Sequence, residues 1–144
     1  MIRKLIVSSA IAAVLGFATV PAMANDLSIQ QFGWNNQVGG AQNGFWNDYT
    51  AYQNGAWNTV VGQQNGVGNT GAVGQEGWNN YAGTNQNGAW NTAGVGQFGA
   101  NHTSIITQDG YGNITAGVQI GNGCSGNVVQ GGSGNVAAFV QTCP

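Results

Sequence analysis

The chain is built on a repeat of eleven residues that runs without insertion or deletion. A glutamine marks every step, and a glycine stands two residues after each of the first ten glutamines. The glutamines are Gln31, Gln42, Gln53, Gln64, Gln75, Gln86, Gln97, Gln108, Gln119, Gln130 and Gln141. A fixed period of this kind indicates that each repeat is one structural unit that stacks on its neighbours.

An asparagine occupies a second fixed position, five residues after the glutamine. His102 and Cys124 stand at this position in two of the repeats. The asparagines are Asn36, Asn47, Asn58, Asn69, Asn80, Asn91, Asn113 and Asn135. Because the side-chain amides of Gln and Asn each carry a donor and an acceptor, the repeat predicts two sets of amides that can bond from one unit to the next.

The pattern within one repeat is typical of a β-strand, in which alternate residues share a face. The face that carries Gln also carries small or aliphatic residues such as Ala51 and Val60, whereas the opposite face is irregular. Burial constrains composition and solvent does not, so we expect the Gln face to point inward. The glycine content disfavours helix. The predicted strands are 27–33, 37–44, 48–55, 59–66, 70–77, 81–88, 92–99, 103–110, 114–121, 125–132 and 136–141.

Two arrangements of these strands are compatible with the period. Successive units could alternate between two facing parallel sheets, or they could form antiparallel hairpins with Asn-Gly turns such as Asn43-Gly44. Hairpins reverse direction at every unit and would not align the glutamines, whereas amide ladders need identical residues in register. We therefore predict an all-β fold, a two-layer parallel β-solenoid of 11-residue strand-turn units with two units per coil. The glycine beside each Gln is expected to permit the bend and a close approach of the two sheets.

The N-terminus has the features of a secretory signal peptide. Arg3 and Lys4 precede the apolar segment from Leu5 to Phe17, and Ala22-Met23-Ala24 forms a cleavage site. The apolar segment is shorter than the roughly 20 residues that a membrane-spanning helix needs. The predicted organisation is a signal peptide at residues 1–24 followed by a repeat domain at residues 25–144.

The charge of the chain excludes several functions. Arg3 and Lys4 are its only basic side chains other than His102, so the mature chain has no fixed cation with which to bind nucleic acid or anionic lipid. We expect no membrane insertion of the mature chain. No arrangement of Ser, His and acidic residues indicates catalysis, and two cysteines with one distant histidine do not form a zinc site. We therefore expect no enzyme activity, no catalytic residues, no metal and no cofactor.

Cys124 and Cys143 are the only cysteines. In an exported protein such a pair is a candidate disulfide. Ideal strand geometry would place the two residues about 10 Å apart, beyond disulfide reach, so the C-terminal segment must bend if the bond forms. Free or intermolecular thiols remain the alternative.

The motif Gln-x-Gly-x-x-Asn, as in Gln75 to Asn80, resembles the curlin repeat of curli amyloid subunits. The resemblance extends over residues 26–141 and is to a subunit of the major type or a closely related one; the repeat pattern does not separate a major from a nucleating subunit. It implies a secreted, extracellular, cell-surface fibre subunit that assembles end to end with itself into cross-β amyloid for adhesion and biofilm matrix. It also implies a nucleating subunit and an outer-membrane secretion pore as partners. The Gln and Asn residues above are the positions that would form the self-assembly ladder.

A monomeric secreted β-solenoid that binds ice or carbohydrate is the alternative. An ice-binding face would present a flat ladder of threonines, and the candidate outward positions supply part of one, including Thr59, Thr70, Thr92 and Thr103. The tryptophans cluster at the predicted turns, where they could pack along a fibre or stack on sugars. They are Trp34, Trp46, Trp57, Trp78 and Trp90.

Overall fold

The computed structural model describes residues 24–144, and the predicted signal peptide lies outside them but for Ala24. The described residues form strands joined by short turns, with no helix. The strands are β1 (Asp26–Trp34), β2 (Gln37–Phe45), β3 (Asp48–Ala56), β4 (Thr59–Val67), β5 (Thr70–Trp78), β6 (Tyr81–Ala89), β7 (Thr92–Ala100), β8 (Thr103–Tyr111), β9 (Ile114–Asn122), β10 (Ser125–Ser133) and β11 (Val136–Cys143). The predicted strands agree with these bounds to within two residues at each end.

Consecutive strands alternate between two parallel sheets. The odd sheet has the order β1-β3-β5-β7-β9-β11, and the even sheet has the order β2-β4-β6-β8-β10. Each residue pairs with the residue one coil further along the chain, as Gln53 does with Gln75 and Gln64 with Gln86. The predicted two-layer parallel solenoid with two units per coil is therefore confirmed, and the hairpin arrangement is wrong.

Two residues connect each strand to the next, and the first of the two has a positive φ. These residues are Asn35, Trp46, Trp57, Gly68, Asn79, Trp90, Asn101, Gly112, Gly123 and Gly134. Gly and Asn adopt this left-handed conformation readily, whereas a bulky residue does so only at a conformational cost. The three tryptophans in this position were not foreseen from the sequence. The turn carries the chain from one sheet to the other.

The glycine that follows each Gln has a different role from the one expected. Its φ is also positive, +123° at Gly77, which permits the predicted bend. A Cβ atom at Gly77 would overlap the carbonyl group of Gly99, the equivalent residue of the next coil. The close approach that requires glycine is therefore between successive coils of one sheet and not between the two sheets.

The interior is a thin layer in which a few apolar side chains lie beside the glutamines. Tyr49 is the largest of the apolar residues, and its ring occupies the space that side chains at Gly62 and Gly71 would need. Its hydroxyl group is hydrogen-bonded to Thr84 Oγ1 at 3.0 Å. Burial raises the pKa of Tyr49 above its ordinary value, and the hydrogen bond to Thr84 offsets part of that rise. The buried apolar residues are Tyr49, Ala51, Val60, Val73, Ala82, Ala93, Val95 and Ile106.

Candidate functional site: the amide ladders

The glutamines form two continuous columns of hydrogen bonds, one in each sheet. The Nε2 group of each ladder Gln from Gln31 to Gln119 donates to Oε1 of the Gln one coil further on, as Gln53 does to Gln75 at 2.8 Å and Gln64 to Gln86 at 2.9 Å. The column of the odd sheet runs through Gln31, Gln53, Gln75, Gln97, Gln119 and Gln141. The column of the even sheet runs through Gln42, Gln64, Gln86, Gln108 and Gln130.

Each ladder Gln amide after Gln31 also connects the two sheets. Its Nε2 group makes a second hydrogen bond, to a backbone carbonyl at the start of the facing strand; Gln75 donates to Thr59 O at 3.1 Å and Gln86 to Thr70 O at 2.9 Å. For the ladder glutamines from Gln53 to Gln119, both amide protons and the amide oxygen are thus used within the solenoid. An amide satisfied in this way can be buried without the penalty of roughly 1–3 kcal/mol that an unpaired group would carry. The glutamines from Gln53 to Gln119 are accordingly fully buried.

The asparagines at the turns form a second pair of ladders that bonds to the backbone. The Oδ1 atom of each of these asparagines before Asn135 accepts a hydrogen bond from the backbone N–H of the residue one coil further on, as Asn58 does from Asn80 at 3.1 Å. The Nδ2 group of Asn58 donates to the carbonyl of Gly77 at 3.0 Å. Asn25 begins one of these ladders, because its Oδ1 accepts from Asn47 N at 3.0 Å. Asn25 was not predicted as a ladder residue, although it lies one repeat before Asn36.

The Gln ladders have a direction, and this makes the two ends of the solenoid chemically different. At the N-terminal end, Gln31 and Gln42 have Oε1 atoms with no ladder donor among the described residues. At the C-terminal end, Gln130 and Gln141 donate to Ile114 O and Ser125 O but have no ladder acceptor within residues 24–144. In the Gln ladders, the N-terminal end therefore presents acceptors and the C-terminal end presents donors.

The terminal strands also have unpaired backbone edges. Among the described strands, β1 and β2 at one end and β10 and β11 at the other each have a single neighbour. The side chains near these edges are exposed, including Leu27 and Ile29 at the first strand. Unpaired edges of this kind accept additional strands.

His102 takes the place of an asparagine without interrupting the ladder. Its backbone N–H donates to Asn80 Oδ1 at 3.1 Å, and its Nδ1 accepts from Cys124 N at 3.1 Å. Its Nε2 lies 3.2 Å from Phe98 O, which fixes the tautomer with the proton on Nε2. The side chain is fully buried. His102 therefore has a structural role in the turn.

Cys124 and Cys143 are joined by a disulfide, with their Cα atoms 5.6 Å apart. The expected bend of the C-terminal segment is absent, because β11 remains in register with β9 as far as Cys143. The two residues are 19 positions apart, the same separation that joins Asn58 Nδ2 to Gly77 O elsewhere in the ladder. The disulfide thus replaces a contact that recurs along the solenoid. That recurring separation is the signal by which the pairing could have been predicted from the sequence.

The outward residues do not form a flat threonine ladder. Thr70 and Thr92 pair in the odd sheet, whereas Thr59 and Thr103 lie on the opposite sheet, where each pairs with Tyr81. The tryptophans lie at the turns and the strand ends, and the most exposed is Trp34, at 79%. Within residues 24–144, no group of three metal-ligating side chains comes together, and no helix is long and apolar enough to cross a membrane.

Comparison with known protein families gives one match. Residues 77–110 match a family model described as the curlin associated repeat. This segment runs from the glycine near the end of β5 to the glycine near the end of β8, and it contains Gln86, Gln97 and Gln108. A comparison with curated proteins found no match.

Proposed function

This chain is a curlin-repeat protein, and on that premise we propose that it is a secreted structural subunit that assembles end to end into curli-like, cross-β amyloid fibres. The fibres would lie at the cell surface and serve adhesion and the biofilm matrix. The signal peptide at residues 1–24 would direct export, and residues 25–144 would form the fibre. The principal partner is a second copy of the chain, with a nucleating subunit and an outer-membrane secretion pore as accessory partners. The role is structural and involves neither catalysis nor a cofactor.

The observation that carries this proposal is the complementarity of the two ends. The Gln Nε2 donors at β10 and β11 match the Oε1 acceptors at β1 and β2. A copy added head to tail would therefore extend the Gln ladders in the direction that they already have. The unpaired backbone edges would be completed by the same step.

The energetics favour growth by addition of folded copies. A parallel strand pair of nine residues, such as β3 with β5, contributes backbone hydrogen bonds worth about 1 kcal/mol each in net terms. The strands at the ends are already ordered, so little conformational entropy remains to be lost on association. The Gln ladder bonds that form across the joint add to the favourable free energy of association. The Gln and Asn residues of the two sets of ladders are the self-assembly residues in this proposal.

The experiment is assembly of purified residues 25–144 without additives. We expect thioflavin-positive fibres with reflections near 4.8 and 10 Å, the strand and sheet spacings, and a lag that preformed fibres abolish. Protein that stays monomeric by light scattering and does not respond to seeds would overturn the proposal. That result would favour the monomeric binding module instead.

A matched pair of variants locates growth at the ends. Gln31 is exposed and Gln97 is fully buried, although both belong to one ladder. Gln31→Lys should leave the circular dichroism of the monomer unchanged and slow seeded elongation, because a charge at an edge opposes strand addition. Gln97→Lys should instead prevent folding of the subunit, because it buries a charge without a partner. Normal elongation by the Gln31 variant would place growth elsewhere, for example in lateral association of faces.

A further inference from the structure

The described residues form an odd number of strands, and this makes the two ends of the solenoid uneven. The odd sheet has six strands and the even sheet has five. Because consecutive strands alternate between the sheets, the eleven strands make five and a half coils. At the C-terminal end of the described residues, β11 therefore lies half a coil beyond β10, and no described strand pairs with the outer edge of β10.

We propose that successive copies in the fibre are related by a half-turn about the long axis. The odd sheet of each copy then continues as the even sheet of the next. In this joint, β1 of the incoming copy pairs with β10 and its β2 pairs with β11. The inference rests on the proposed end-to-end assembly and specifies its geometry.

The backbone edges provide the first argument. The half-turn pairs all four of the edges at β1, β2, β10 and β11. A copy added in the same orientation would place β1 on β11, and its β2 would then stand two strand spacings from β10. That gap is about 10 Å, against about 4.8 Å for paired strands. It would leave two edges unpaired inside the fibre, where each unpaired backbone group costs roughly 1–3 kcal/mol.

The Gln ladders provide the second argument. Every ladder bond within the subunit joins residues 22 positions apart. The half-turn continues this register across the joint, with Gln31 of the incoming copy on Gln130 and its Gln42 on Gln141. Both donors at the C-terminal end then find acceptors. With the same orientation only Gln141 finds one, and the incoming Gln42 receives no donor.

The sizes of the interior side chains provide the third argument. Phe139 fills the space that side chains at Gly117 and Gly126 would need. In the half-turn joint the next residue above Phe139 is Gly40 of the incoming copy, and the residue above Gly126 is its Leu27. Large residues thus meet glycines, as Tyr49 meets Gly71 within the subunit. The same orientation would place Ile29 directly on Phe139 and crowd the interior.

An inverted copy is excluded by the direction of the ladders. Two C-terminal ends would place the Nε2 donors of Gln130 and Gln141 against identical donors. Two N-terminal ends would place Oε1 acceptors against acceptors. Only head-to-tail addition joins a donor to an acceptor, and such a heterologous contact propagates as a filament.

Engineered disulfides distinguish the two head-to-tail joints. In the half-turn joint Val129 lies beside Gln30 of the next copy, whereas in the same orientation Val140 lies beside Gln30. All three side chains are exposed in the subunit, at 69% for Val129 and 73% for Val140. Neighbouring parallel strands are about 4.8 Å apart, which is within the Cα separation of roughly 4.4–6.8 Å that a disulfide accepts.

We would assemble fibres of the double variants Gln30→Cys/Val129→Cys and Gln30→Cys/Val140→Cys, oxidise them, and separate the products on non-reducing denaturing gels. We expect a ladder of covalent oligomers from the first variant and monomer from the second, with the single variants as controls. The reverse result would overturn the half-turn. Fibres in which neither variant crosslinks would also overturn it, because growth would not use these edges. Failure of the wild-type chain to form fibres would instead refute the proposed function itself.

Electron cryo-microscopy of the wild-type fibre provides an independent measurement. Five and a half coils give a rise of about 26 Å per subunit and a repeat of about 53 Å for two subunits. The half-turn should appear as a rotation near 180° between successive subunits, in addition to any gradual twist. A rise of about 29 Å without that rotation corresponds to six coil positions per subunit and would contradict the inference.

Discussion

Replacement of Gln75 by alanine measures how much one ladder amide contributes to the stability of the solenoid. Gln75 is fully buried near the middle of the odd-sheet column. It accepts from Gln53 Nε2 at 2.8 Å and donates to Gln97 Oε1 at 2.7 Å and to Thr59 O at 3.1 Å. All three hydrogen bonds are lost in Gln75→Ala.

The consequences differ among the three partners. Gln53 Nε2 keeps its second bond, to Gln37 O at 3.0 Å. Gln97 Oε1 loses its ladder donor in a site without water access, which costs roughly 1–3 kcal/mol, and the other two lost bonds contribute about 1 kcal/mol each. The cavity left by the side chain adds to this loss. We expect the free energy of unfolding to fall by at least about 3–5 kcal/mol, which is the hydrogen-bond loss before the cavity is counted.

The measurement is urea unfolding of the monomer, followed by tryptophan fluorescence at a concentration below that of assembly. Gln63→Ala is the matched control, because Gln63 is an exposed residue on the outward face of the neighbouring strand. The control should change the unfolding free energy by less than about 0.5 kcal/mol. If both variants unfold with the same free energy, the ladder amides do not stabilise the subunit and our account of the interior is wrong.

Three further predictions concern the glycines, the disulfide and the buried tyrosine. Gly77→Ala should lower the unfolding free energy by more than about 2 kcal/mol, because the φ of Gly77 is +123° and a Cβ would overlap Gly99. Gly74 has open space around it, so Gly74→Ala should change the unfolding free energy by less than about 1 kcal/mol in the same urea titration. Reduction of the Cys124–Cys143 disulfide should lower the unfolding free energy by about 2–4 kcal/mol, and Cys124→Asn/Cys143→Gly, which restores the pair of residues found elsewhere in the ladder, should be insensitive to reductant. Tyr49→Phe should lower the unfolding free energy by about 1–2 kcal/mol, because the hydroxyl group of Thr84 loses its hydrogen-bond acceptor. Because the pKa of Tyr49 is raised in the folded state, the neutral Tyr49 side chain should contribute fully to the unfolding free energy below about pH 10, and this contribution should decrease as the pH rises through the folded-state pKa. The phenylalanine variant should lack this pH-dependent decrease in unfolding titrations between pH 9 and about pH 12.

The fold was predictable because one period determines both the strand and its partner. Strand pairing requires a register, and a glutamine that recurs at constant phase, such as Gln53, Gln75 and Gln97, specifies it for every coil. The inward face followed from the same pattern, since each residue on that face is two positions from the next. These properties depend on backbone geometry and alternation, which a sequence displays directly.

The properties that were missed depend on contacts between coils. The sequence does not show that the glycine after Gln is required by the carbonyl group of the next coil, because that contact depends on the turn conformation. The left-handed φ of Trp46 and Trp90 contradicts the preference of bulky residues. The turn geometry, which repeats in every coil, overrides that preference. The distance between Cys124 and Cys143 was overestimated for a similar reason. It was calculated from the rise along an ideal strand, which does not include the reversal of the chain at the turn.

The two departures from the asparagine pattern show what the turn position requires. An Asn there supplies an acceptor for the N–H of the next coil and a link to the glycine 19 residues later. His102 supplies the acceptor through Nδ1. Its Nε2 also contacts the carbonyl oxygen of Phe98, four residues earlier, and Asn91 Nδ2 makes the equivalent contact with Asn87 O. Cys124 supplies the link, in covalent form, to Cys143. The turn position therefore requires particular contacts and not one residue type. A sequence motif that demands Asn there would miss coils that have the same backbone structure.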